Sequence, residues 1–168
     1  MGLLRVSPSA TIVSPDTNYG DSVNLWTNTS NARDGSSATF AQVLNTSDYS
    51  AARWQTPGTV TGQFVLLGMD IDWEISFSGS DSTNSNVAVF WQKTAGVTLE
   101  SAVLGNNFGA GPVRTLTPVY LSPALRQTTG LTYLTVRSGG AFSGFTTLKV
   151  YEIRFIYADR GVASITSG

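Results

Sequence analysis

Asp70, Asp72 and Glu74 place three carboxylates at alternate positions. On an extended strand that spacing puts all three on one face, neighbours about 6–7 Å apart, a separation within the range used by carboxylate pairs that cleave glycosidic bonds. Acids on a single strand more often form a solvated sheet face whose charges pair across the ladder. A glycosidase or lyase built on them is the weakest of the functions weighed, and no enzyme is expected. The chain has no Cys and no His. Their absence removes disulfides, thiolate or imidazole zinc sites, Ser-His-Asp and Cys-His triads, and histidine acid–base catalysis.

Asp16, Asp21, Asp34, Asp48 and Asp81 sit among Asn and Gly. Oxygen ligands of this kind suit calcium, but Asp and Asn equally make turns, and no EF-hand spacing is present. No metal or other cofactor is expected; a calcium ion, if bound, would sit at Asn31 and Asp34. Gly105 to Gly111 is glycine-rich without the Lys-Ser/Thr of a phosphate loop, and no G-x-S-x-G elbow occurs. Among the four tryptophans, Trp73 and Trp91 fall on apolar faces and read as core. Trp26 and Trp54 flank an irregular segment and are the better candidates for stacking on a sugar.

The elements that would position these groups are extended. Phe64 to Phe77 carries Val65, Leu67, Met69, Ile71, Trp73, Ile75 and Phe77 on one face and Asp70, Asp72 and Glu74 on the other. That alternation is a long half-buried strand, with Gly68 the natural place for a bend or bulge. Further strands are predicted at Ala10–Val13, Val23–Trp26, Thr39–Leu44, Ser50–Trp54, Val87–Trp91 and Val97–Leu99. Three more follow: Val113–Leu121, broken by Pro118, then Leu131–Val136 and Leu148–Tyr157. In the last, Tyr151, Ile153, Phe155 and Tyr157 share a face opposite Glu152 and Arg154. Turn clusters separate these runs. The expected fold is one all-β domain over residues 1–160, an antiparallel β-sandwich of eight or more strands, with an arm at about 1–13 and a short tail at 161–168.

Composition agrees. The 168 residues include 20 Ser, 21 Thr, 9 Asn and 17 Gly, poor helix formers that favour turns and extended chain. Charged residues are 12 % and the net charge is −1; a nucleic-acid binder normally carries a clustered basic face. Eight of the ten basic residues are Arg, the cation enriched at protein interfaces. Met1 to Val6 lacks the apolar core of a signal peptide, and no run approaches the roughly 18 apolar residues of a membrane span.

The segment Leu25-Trp26-Thr27-Asn28-Thr29-Ser30-Asn31-Ala32-Arg33-Asp34-Gly35-Ser36-Ser37-Ala38-Thr39 resembles a pattern in structural proteins of tailed bacteriophages. There a Trp-Thr-Asn stretch leads to Asn-Ala, then Asp-Gly-Ser and Ala-Thr, followed by a long alternating strand. The likeness covers about residues 20–77 and the last strand, and departs at Thr29 and Gln63. It implies a jelly-roll or galactose-binding-like sandwich in a virion, assembled in the host cytoplasm. A short single domain fits a capsid cement or decoration protein, trimeric, clamping neighbouring subunits of the major capsid protein. Expected contacts with the shell or another copy are Arg5, Val6, Trp26, Arg33 and Arg160. The arm or the tail would supply a strand to a neighbour. The alternative is a carbohydrate-binding or host-adhesion module of a tail fibre or baseplate, with a polysaccharide partner.

Overall fold

The computed structural model describes residues 10–13, 17–20, 26–44, 50–55, 64–77, 86–92, 97–106, 111–124, 133–139 and 145–159. Within them lie the strands Ala10–Val13 (β1), Thr17–Gly20 (β2), Trp26–Thr27 (β3), Ala41–Leu44 (β4), Ser50–Gln55 (β5) and Phe64–Phe77 (β6). Asn86–Gln92 (β7), Thr98–Asn106 (β8), Gly111–Tyr120 (β9), Tyr133–Gly139 (β10) and Phe145–Asp159 (β11) complete the set. The only helical element among the described residues is a 3-10 turn at Thr29–Arg33.

The strands form two antiparallel sheets. The first runs β3-β4-β11-β6-β9, with β1 also paired to β11; the second runs β2-β5-β10-β7-β8. From β4 onward the chain passes back and forth between the sheets, except from β7 to its neighbour β8 in the second, so β4 corresponds to β5, β11 to β10, β6 to β7, and β9 to β8. Buried residues from both sheets make one core. Trp91 of β7 packs against Phe155 of β11 with ring centroids 5.9 Å apart. Trp26 of β3 meets Trp54 of β5 edge-on at 6.1 Å. Trp73 lies in the same core at 2 % exposure, its indole N–H donating to Thr117 Oγ1 over 2.9 Å.

β6 forms one 14-residue strand. Met69, Ile71, Trp73 and Ile75 are buried and Asp70, Asp72, Glu74 and Ser76 half-exposed, as the alternation predicts. Its pairing with β11 slips where Gly68 faces Ile156 and Leu66 faces Tyr157. A Cβ on Gly68 would collide with the Val119 carbonyl and the Tyr120 backbone. Close approach of β9 is thus the reason for glycine at the bend.

Three expectations need correction. Pro118 does not break its run: β9 pairs with β6 without interruption from Gly111 to Tyr120. The β9–β6 register places Leu121 opposite Leu67, and the Leu121 N–H donates to the Leu67 carbonyl over 2.8 Å. Odd-numbered amides of β9 therefore face β6. Pro112 and Pro118, at even positions, lie where an N–H would point away from the sheet, so their missing donors cost the ladder nothing.

Tyr151 does not share the core face of Ile153 and Phe155. The β11–β6 register jumps from Val150↔Trp73 to Glu152↔Asp72, so Tyr151 is an extra residue, a bulge that re-aims its ring. Finally, part of the expected N-terminal arm belongs to the sandwich itself, because Ala10–Val13 pairs with Ala158–Phe155 of the same chain. Residues 1–9 and 160–168 lie outside the described residues, and with them Arg5, Val6, Arg160, the rest of the arm and the tail.

Candidate functional site

The loop after β3 is closed by its own side chains. Asp34 Oδ1 accepts from the Ser36 amide at 2.8 Å and Oδ2 from the Thr39 hydroxyl at 2.6 Å. Asn31 Nδ2 donates to the Phe40 carbonyl at 3.3 Å. Gly35 takes φ 78°, the left-handed region where glycine avoids the Cβ penalty. Asp34 and Asn31, the pair suggested for calcium, thus fold the loop. No group of three or more acidic, His or Cys residues suited to a metal occurs among the described residues.

The three carboxylates of β6 lie on the outer face of the first sheet. Arg114 grips Asp72 with two hydrogen bonds, Nε to Oδ1 at 3.0 Å and Nη2 to Oδ2 at 2.8 Å. It also donates to the Ser37 carbonyl at 2.9 Å, which ties the loop to the sheet. Glu74 accepts from Lys149 Nζ at 2.7 Å and from the Tyr151 hydroxyl at 3.1 Å. Lys149 also lies 4.8 Å from the centre of the Phe40 ring. Asp70 stands opposite Arg154 in the ladder. The bond to Glu74 holds the Lys149 ammonium above its ordinary pKa, and the bond to Asp72 does the same for Arg114. Tyr151 is raised first by burial and then by Glu74. Asp72 and Glu74 each have a cation at hydrogen-bond distance, as on a solvated, cross-paired sheet face.

A different surface presents itself to other molecules. Among the described residues the exposed large hydrophobics are Leu44, Val97, Leu99, Val103, Val113, Leu116 and Tyr120. All but Leu44 lie on β8, on β9 or at the entry to β8, the corresponding edge strands of the two sheets. Val103 is 59 % exposed, Leu116 57 % and Tyr120 60 %. Val113 pairs with buried Ile75 on the inward side of β9 and is still 39 % exposed, so the sandwich is open along this side. Glu100 of β8 accepts from the Ser122 amide just beyond β9 over 3.1 Å, linking the two edges.

None of the described candidates from the sequence lies on those edges. Trp26 is 8 % exposed and Trp54 fully buried, with the Trp54 N–H donating to the Thr29 carbonyl at 3.0 Å. Both rings are core, so neither of these candidates is placed to stack on a sugar, and Trp26 offers little surface to a partner. Arg33 ends the 3-10 turn, half-buried. Sequence reasoning missed Leu99, Val103, Leu116 and Tyr120. Their signal was parity: Leu116 and Tyr120 fall out of step with Val119, as Val103 does with Ala102 and Leu104.

No protein-family model matches this sequence, and no curated protein is significantly similar to it. Solved structures with partial likeness include sugar-binding modules. A chitosan-binding module of a chitosanase/glucanase from Paenibacillus sp. IK-5 is 12 % identical, with TM-score 0.37, over 88 % of this chain and 93 % of that one. The lectin domain of lectinolysin, complexed with Lewis b antigen, is 16 % identical, TM-score 0.39, over 89 % and 92 %. A cyclase from Fischerella sp. TAU is 10 % identical, TM-score 0.42, over 96 % and 80 %. At these values neither ligand nor reaction transfers to this chain.

Proposed function

We propose that the chain is a non-catalytic docking module of a larger assembly. The observation that carries this is the gathering of Val97, Leu99, Val103, Val113, Leu116 and Tyr120 on two corresponding sheet edges. Large apolar side chains left in water along sheet edges suit interaction sites; Leu116 and Tyr120 leave the outer face of the first sheet and Val103 that of the second. The assembly we propose is a phage virion, assembled in the host cytoplasm, in which the domain acts as a capsid cement protein over junctions between capsomers. The sequence pattern around Trp26 to Thr39 supports that identity. The strand order β4-β11-β6-β9 over β5-β10-β7-β8 is compatible with a jelly roll, an architecture common to viral capsid and lectin domains alike, and architecture alone does not assign function. Trimeric clustering, implied by the sequence resemblance, draws no support from these edges.

Co-sedimentation with empty shells tests the proposal. Wild type is expected to pellet with shells, and Val103→Glu/Leu116→Glu to stay in solution with its fold intact. Wild type left in the supernatant would refute it.

Carbohydrate binding is the second reading, favoured by one observation: Tyr120 presents a ring 60 % exposed, a surface on which a sugar can stack. Retention on polysaccharide resins that Tyr120→Ala abolishes would select it over the first.

A further inference from the structure

We infer that β8 is the docking edge for a second copy of this chain, in an antiparallel two-fold contact centred on Ser101. This rests on the docking role proposed above and names the partner at one of its edges.

The two edges of the open side differ in chemistry. On β9, Pro112 and Pro118 remove two of the outward donors, leaving those of Arg114 and Leu116 between them, and proline is a common guard against edge pairing. β8 contains no Pro, Lys or Arg. Among the described residues no strand pairs with β8 beyond β7. Its register with β7 is regular from Glu100 to Val103 and shifts on either side, so the segment suited to pairing is short and has Ser101 within it.

The outward residues are self-complementary. Leu99, Ser101 and Val103 alternate along the chain and are exposed. An antiparallel copy centred on Ser101 sets Leu99 against Val103 and Val103 against Leu99, within and just beside the regular part of the strand. Such a contact is isologous and closed. Charge favours a copy over a charged partner. None of these three residues is charged, and Glu100 is turned inward to the Ser122 amide. On the neighbouring edge Arg114 is engaged by Asp72. Two such surfaces meet without like charges opposed, whereas a charged strand would lose hydration and find no counterion.

The absence of cysteine gives a clean test. Ser101→Cys places one thiol per chain on the axis, within disulfide reach of its mate. Under mild oxidation it is expected to give a covalent dimer, while Ser37→Cys, at an exposed position in the loop before β4, stays monomeric. Wild type should sediment as a concentration-dependent dimer, and Val103→Glu, at an exposed position, as a monomer with unchanged circular dichroism. A wild-type monomer at all concentrations, or equal cross-linking of both cysteine variants, overturns the inference. Monomeric protein that still coats shells would sink the self-contact alone; a dimer that ignores shells would sink the capsid role alone.

Discussion

The guanidinium carbon of Arg114 lies 3.5 Å from the centre of the Tyr151 ring, joining an edge strand to the bulge on a central one. The same guanidinium holds Asp72 of β6 and the Ser37 carbonyl of the loop. One side chain thus connects β9, β6, β11 and the segment that follows the 3-10 turn. The extra residue in β11 leaves Tyr151 on the side of Lys149, where both bond Glu74, while Glu152 takes the place opposite Asp72.

Arg114→Ala should loosen the loop more than the domain. Its ion pair with Asp72 is exposed on the arginine side, 39 %, so the cost in global stability is expected to stay under about 1 kcal/mol. Hydrogen exchange at the Ser36 and Ala38 amides should quicken measurably, with the β6 amides unchanged.

Trp73→Ala should cost roughly 3–5 kcal/mol, the range for emptying a buried tryptophan site, read from urea midpoints. Thr117→Val, which removes only the acceptor of the indole N–H, should cost about 1–3 kcal/mol as an unsatisfied buried donor. An unmoved melting temperature for Trp73→Ala would contradict the core described here.

Gly68→Ala should destabilise by about 1–3 kcal/mol, the usual cost of overpacking, because the new methyl meets backbone that has no rotamer to escape into. Protease cleavage near Tyr120 should rise in the variant as β9 shifts.

Alkaline pH should weaken the fold through the Glu74 cluster. Lys149 and Tyr151 both titrate above their ordinary values in the folded chain. The native state therefore holds their protons more tightly than the unfolded chain, and their contribution is complete below the ordinary values near 10. It is lost as pH rises through the folded values. Urea midpoints from pH 8 upward should fall beyond about pH 10, less steeply in Lys149→Met/Tyr151→Phe.

Much of the sandwich was legible in the order of residues because alternation reports burial on both sides of a strand. Met69 to Ile75 and Val87 to Trp91 lie in the core as their period demands. Tyr151 was not legible, since one inserted residue resets parity and nothing local announces it. The burial of Trp26 was only partly legible for a related reason: a strand of two residues has no period, and its packing against Trp54 depends on a partner 28 positions later. The apolar edges stayed hidden because strand order, and so which strand is last in a sheet, is a property of the whole topology. Arg114 finds Asp72 across 42 residues for the same reason.

Pro112 and Pro118 have one more effect. A molecule that could add neighbours at both rims of this side would polymerise without limit, copy upon copy, into fibres. Because the β9 rim is short of donors, the pairing proposed at β8 is expected to end after one addition and to leave a concentrated solution clear.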